Sequence, residues 1–363
     1  MPKTSRFANP GESDGEAGHR EDVPHPILLS NGSLLDTADL ESSELLALWF
    51  REEYEYAERL LSVPWDSEAR RALQREAYSC IHELSSGYDR RLHRPISFGF
   101  RQSHGRLLSD QCVGALRAKG RKSEAGRTPV LRLLEIGVGR GELYPFLCGS
   151  FRKHQEESSS GSRKAPPGRV ECWGCDLVID GASLVPRHAA SCQGNGQCGV
   201  DLVELREGEF LDLAGHYEQM DAFDIVFWND VIEHLPRSVA DQYLVAIRRM
   251  LKPGGRLITC TPNRLTGPHD VSRFVLPAGE QAMGLHLREY SHRELRALLK
   301  GAGFQRFRSP MRAFPKKRPR GGFVAESIKW IVEPLLEQVP MTIRRRIMDH
   351  CSFDAIVCRT PTQ

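Results

Sequence analysis

At 363 residues the chain has room for one large domain with an extension, or for two modest ones. Its charge is nearly balanced, 50 Lys+Arg against 47 Asp+Glu, so no strong overall field points to nucleic acid or to a membrane surface. A hydrophobic content of 40% suits a soluble globular fold, and no window approaches the roughly 18 continuous apolar residues that span a bilayer.

Residues 1–25 read as a disordered tail without an apolar signal core, which implies a cytoplasmic protein whose ten cysteines are reduced thiols. Residues 26–125 read as a helical N-terminal extension, or cap. LESSELLALWFREEYEYAERLL opens with Ser/Glu capping chemistry and repeats apolar residues at helical spacing, and RRALQREAYSCIHEL continues the pattern. The basic stretch RAKGRKSEAGR (117–127) then leads into a different punctuation.

From 126 to 310 strands alternate with helices. VLRLLEIG, RVECWGCDL, LVELREGEF, FDIVFWND and GRLITCTP are the strand candidates, with helices such as SVADQYLVAIRRML between them. This alternation predicts an α/β fold with a mostly parallel central sheet and helices on both faces. Two stretches interrupt it: HQEESSSGSRKAPPG (154–168), a flexible insertion, and KKRPR (316–320), a solvated basic loop. Residues 311–363 form a C-terminal extension that packs on the core, and its apolar spacing also suits a dimer interface. Cys172 and Cys175 form a C-x-x-C, but residues three apart on a strand point to opposite faces, which favours buried structural thiols over a metal or redox pair.

LEIGVGRGEL (134–143) carries the main chemical signal. Gly137, Gly139 and Gly141 follow a strand, but Glu142 stands where a dinucleotide turn would place its third glycine. An acid at a helix start repels phosphate, so the turn suits a ligand that does not rely on negative charge.

With that turn on the page, residues 130–304 resemble the class I S-adenosylmethionine-dependent methyltransferases, whose fold is Rossmann-like. The likeness runs through LLEIGVGRGEL, Asp176 at the end of RVECWGCDL, GEF (208–210), FDIVFWNDVIEHLP, LKPGGRLITCTPN and HLREYSHRELRALLKGAGF in order. It implies S-adenosyl-L-methionine as cofactor. Asp176 would grip the ribose hydroxyls, Phe210 would stack on adenine with Glu209 (and, more weakly, Asp212) nearby, and Glu135, Gly137, Gly139, Gly141 and Asn229 would border the rest.

Two clusters are candidates for the chemistry. Asp230, Glu233 and His234 resemble the E-x-x-E-H of ubiquinone-pathway and small-RNA O-methyltransferases, with Asp230 replacing the first Glu and His286 in the place of the RNA enzymes' downstream histidine. In those families the cluster binds a divalent metal. Here a metal-free base or positioning role for His234 is preferred to metal binding. TPNRLTGPHDVSRF supplies the second: His269 and Asp270 as a proton-abstracting pair, with Asn263, Arg264 and Arg273 binding substrate.

The reading is O-methylation of a small-molecule or glycan- or lipid-like acceptor. An RNA 2′-O-methyltransferase using a metal, a catalytically silent cofactor-binding protein and a nucleotide-dependent oxidoreductase stay open beside it. The first lacks a basic–aromatic surface.

Overall fold

The protein is described as a computed structural model covering residues 26–37, 40–65, 67–92, 102–121, 128–139, 141–159, 168–179, 199–219, 223–310 and 322–362. The expected tail, the KKRPR run, most of the 154–168 stretch, Cys192 and Cys198 lie outside these residues.

A short hairpin, β1 (Ile27–Leu28) and β2 (Leu34–Leu35), precedes helices α1 (Ser42–Ser62), α2 (Glu68–Leu92) and α3 (Gln102–Gly120). Then come β3 (Val130–Ile136), α4 (Leu143–Ser159), β4 (Arg169–Asp176), β5 (Val200–Glu207), α5 (Phe210–Glu218), β6 (Phe223–Asn229), α6 (Arg237–Met250) and β7 (Leu251–Cys260). The chain closes with α7 (His292–Gly301), β8 (Gln305–Arg308), α8 (Phe323–Leu336), α9 (Met341–Cys351) and β9 (Ala355–Arg359).

Seven strands form one sheet in the order β5-β4-β3-β6-β7-β9-β8. The five from β5 to β7 are parallel, and β9 runs antiparallel to both neighbours. The chain therefore turns to opposite sides after β3 and after β6, opening a crevice beyond the carboxyl ends of β3 and β6, where α/β sheets hold ligands. One face of the sheet packs on α5, α6 and α7 through Trp173, Trp228, Tyr243 and Leu298, the other on α3 and α4 through Leu108, Leu116, Tyr144 and Phe151. Cys172 lies in the second of these cores and Cys175 in the first, as their strand spacing predicts.

Three expectations need correction. β9 is drawn from the presumed C-terminal extension, yet Ile356, Val357 and Cys358 are buried between β7 and β8. Five residues are too short a run for periodicity to separate from a packing segment. The stretch at 154–168 begins as helix, because α4 continues to Ser159. LVELREGEF is not strand to its end: β5 stops at Glu207, and Glu209 caps α5 by accepting the Leu211 amide at 3.4 Å.

Helices α1 and α2 build a third core with Trp49, Tyr56 and Leu84, and it includes Val271 and Leu285 from the loops beyond β7. The N-terminal helices thus cover the sheet's carboxyl end.

Candidate active site

The glycine turn leaves β3 with Gly137, Gly139 and Gly141 all at positive φ (84°, 53° and 71°), backbone that residues with a Cβ rarely adopt. At Gly137 a Cβ would also sit 2.3 Å from a Val231 methyl, so the turn approaches the exit of β6 too closely for any side chain. The Gly137 amide donates to the Cys175 carbonyl at 2.9 Å, and the Gly139 amide donates to Asp176 Oδ2 at 2.7 Å. The ends of β3 and β4 are locked together.

Around this turn lie carboxylates with spare valence. Glu135 is buried with Oε2 unbonded, and burial pushes its carboxyl well up. Burial likewise raises Asp176, against the amide bonds it accepts. Glu209 accepts from the Tyr243 hydroxyl, yet its Oε2 has no partner, and burial raises it too. A cation is the natural complement of such a surface, because unpaired buried carboxylates are costly. S-Adenosylmethionine carries a sulfonium and an ammonium and no phosphate, so this donor set fits it. Phe210 departs from expectation: it is 3% exposed and packs at 4.8 Å between ring centroids on Tyr243, which leaves no open ring face for adenine. Asp212 is exposed and paired with Arg71 of α2 at 2.7 Å.

At the exit of β6, Asn229 Oδ1 accepts from His104 Nδ1 at 2.8 Å, and His104 Nε2 meets Asp354 Oδ2 at 3.0 Å. Burial opposes charge on His104, but Cys260 and Asp354 outweigh it and hold the imidazole well above its usual range. Asp230, at φ 49°, accepts from the Asn229 amide group at 2.9 Å. This bend aims the following turn, residues 232–234, into the crevice.

Glu233, His234 and His286 converge there, with one ligand-capable atom of each lying within 4.8 Å of the others. His234 Nδ1 donates to the Leu285 carbonyl at 3.0 Å, which fixes the tautomer and leaves Nε2 with its lone pair. Burial and the adjacent His286 hold this imidazole down to about 3, so it is neutral at ordinary pH. Glu233 accepts from Thr261 Oγ1 at 2.9 Å while its Oε1 has no partner, and burial and Asp230 push it up to about 8. His286 Nδ1 meets Glu289 Oε1 at 2.9 Å. Burial opposes its charge, but the hydrogen bond it donates to Glu289 and the nearby Glu233 lift it to about 9.

The second sequence cluster is used differently. His269 does not pair with Asp270: its Nδ1 meets Glu289 Oε2 at 3.0 Å and its Nε2 meets Thr266 Oγ1 at 3.1 Å. Asp270 accepts the Ser272 and Gly284 amides at 2.9 and 2.8 Å, shaping the loop that carries His286. Asn263 is buried, giving to Glu333 and the Phe353 carbonyl and accepting from the Leu265 amide, with no valence left for a substrate. Arg264 is exposed and reaches Glu294 at 3.3 Å, and Arg273 is exposed over the Phe274 ring.

Three residues outside the sequence candidates complete the crevice. Glu289 is the hinge of the histidines, held well below the usual carboxylate range by His269 and His286 against the effect of burial. Its place three residues from His286 was the available signal. Glu53 of α1 accepts from Trp49 Nε1 at 2.8 Å and from the Leu285 amide at 3.0 Å, and burial with Asp270 raises it to about 7. Tyr78 of α2 sets its ring edge-on to His234 at 5.7 Å.

This geometry defines a class before it defines a substrate. A methyltransferase-domain family model matches residues 87–307, more than half of the chain, and the chain belongs to that family, the class I S-adenosylmethionine-dependent methyltransferases. Among curated proteins it is similar to the ubiquinone biosynthesis O-methyltransferases of two Cereibacter sphaeroides strains, at 29% and 28% identity over 166 residues. Those alignments take in 40% of this chain and 55% of each relative, so the chain spans about half the length of the curated relatives it matches. Among solved structures, the DszA carbon methyltransferase is similar at 14% identity and a TM-score of 0.44, covering 89% of this chain and 69% of that one. A methyltransferase of Archaeoglobus fulgidus gives 14% and 0.34, covering 69% and 94%.

Proposed function

We propose that the protein methylates an oxygen of a small-molecule or lipid- or glycan-like acceptor, with His234 as the general base. The observation that carries this reading is the fixed tautomer of His234: Nδ1 is committed to the Leu285 carbonyl, so Nε2 keeps its lone pair. The cofactor, when bound, supplies a methyl group on a good leaving group, so the protein's tasks are to orient an acceptor and take its proton.

Asp176 would take the ribose hydroxyls by charge-assisted bonds, Glu135 would face the cofactor's charged amino-acid end, and Glu209 would offer its unpaired oxygen to the adenine side. The acceptor hydroxyl would lie against His234 Nε2, beneath the cap of α1 and α2. An O-directed reaction is in keeping with the names of the curated relatives. Incubation with isotope-labelled S-adenosylmethionine and a panel of phenols, sugars and amines tests the reading. Label on hydroxyl acceptors supports it, and label only on amines overturns it.

One observation favours a second reading, in which a divalent cation joins the site. Glu233, His234 and His286 offer three ligand atoms, and each histidine is oriented through its other nitrogen by a carbonyl or a carboxylate, the usual support of metal-binding imidazoles. A cation there would hold and acidify the acceptor hydroxyl. Turnover abolished by EDTA and restored by Mg²⁺ or Mn²⁺ selects this reading, and turnover indifferent to EDTA selects the metal-free base.

A further inference from the structure

His104 of α3 is 2% exposed and lies against the exit of β6, 125 positions upstream of the residue it meets there. That residue, Asn229, points to the α3 side of the sheet, because side chains alternate along β6. Phe227 stands in the α3–α4 core and Trp228 in the core of α5, α6 and α7.

The hydrogen bonds decide what this imidazole must be. Asn229 donates through Nδ2 to Asp230 Oδ2 at 2.9 Å, so its Oδ1 is the end turned to His104. An amide oxygen can only accept, and His104 Nδ1 therefore donates to it at 2.8 Å. Nε2 lies 3.0 Å from Asp354 Oδ2 and donates to that carboxylate. Both ring nitrogens carry protons, and His104 is an imidazolium. A buried charge is costly even when paired, and a side chain that merely fills a core has no use for one.

The backbone beside it needs support. Asp230 takes φ 49°, left-handed backbone that a residue with a Cβ keeps only where its surroundings fix it. Its amide donates to the Cys260 carbonyl at 2.9 Å, and its carboxylate accepts from Asn229. The second bond depends on which way round the Asn229 amide is turned, and the charged donor of His104 decides that. The turn that carries His234 starts directly after this bend, with the His234 amide donating to the Val231 carbonyl at 3.0 Å.

We propose that His104 is a positioning residue of the transferase site: through Asn229 it holds the bend at Asp230, and with it the place of the His234 ring. It touches no reacting atom. Its meaning for catalysis rests on the reading of His234 as the base, whereas its test reads only where that ring sits.

Two amide variants separate the two ends of the imidazolium. In His104→Asn the amide nitrogen falls near the place of Nδ1 and can still donate to Asn229. In His104→Gln it falls near the place of Nε2 and reaches Asp354 alone. The readout is long-range nitrogen–proton correlation of the imidazoles in the full chain with S-adenosylhomocysteine, assigned with His234→Ala, beside urea unfolding. At neutral pH the wild type should show His104 protonated at both nitrogens and His234 at Nδ1 only. His104→Asn should keep the His234 pattern and His104→Gln should lose it, although both give up the buried charge and unfold at lower urea. Asn229→Ala, which leaves His104 on Asp354, should lose the pattern as well. A merely structural role would lower stability and leave the His234 signals alike in every folded variant. Three results would overturn the proposal: a wild-type His104 protonated at one nitrogen, a His234 pattern unchanged in His104→Gln or Asn229→Ala, or one lost equally in His104→Asn.

Discussion

The two ends of the crevice are made in different ways. At the glycine turn the working groups are backbone amides and carboxylates that come from successive strand ends: Gly137 and Gly139 after β3, Asp176 at the end of β4, and Glu209 after β5. At the opposite end the groups are histidines aligned by residues far away in the chain. Leu285 orients His234, Glu289 orients both His269 and His286, and Glu53 of α1 anchors Leu285 from 232 positions upstream. The first end has open valences that await a cation. The second leaves Glu233 Oε1 without a partner too, but its histidines are already oriented through Nδ1, so its geometry is preset. One end binds by what it lacks, the other works by what it holds in place.

Substitutions at the two ends should separate binding from turnover. The largest effect is expected from His234→Ala, which removes the proposed base: kcat should fall about 10²- to 10⁴-fold with cofactor affinity unchanged, read by single-turnover kinetics beside calorimetry. Asp176→Ala should do the reverse, weakening cofactor binding about 30- to 100-fold through loss of a charge-assisted bond.

Glu289→Gln sharpens the comparison from the structural side. It takes the shared acceptor from two buried histidines and should lower stability by about 2–4 kcal/mol in urea unfolding. The rescue of His286 orientation by a cation would show as partial recovery in Mn²⁺.

The pH dependence follows from the same groups. Glu53, Glu233 and His286 have folded values raised to about 7, 8 and 9, so the folded state holds protons that the unfolded chain has released. The thermal midpoint of the ligand-free protein should therefore fall as pH rises from about 6.5 to 9. The smallest effect is expected at Arg264 and Arg273, which are exposed and engaged with Glu294 and Phe274: alanine at either should change KM by less than about threefold.

The contrast also explains how far the sequence could be read. The parallel strands, the glycine turn and Asp176 follow from local signals, because each is a strand end followed by a turn within a few residues. Glu233, His234 and His286 could be singled out for their chemistry, but not all of their supports: Glu53 anchors Leu285, and through it His234, from 232 positions upstream, whereas Glu289 lies only three residues from His286. The loop TPNRLTGPHDVSRF misled for the same reason. His269 and Asp270 are neighbours in sequence yet serve different partners, and Asn263 is spent on Glu333 and Phe353. Phe210 misled through its boundary, because Glu209 ends the extended run and turns the ring into the core. β9 was hidden by brevity, and its place between β7 and β8 is decided by a return of the chain that no local pattern encodes.

The most direct measurement is a crystal structure of the protein with S-adenosylhomocysteine. The account predicts the ribose hydroxyls within hydrogen-bonding distance of Asp176, the backbone of the glycine turn against the amino-acid end, and His234 Nε2 facing the thioether sulfur across a gap sized for an acceptor oxygen. A ligand seated away from β3 and β4, or one whose sulfur is walled off from His234, would contradict it.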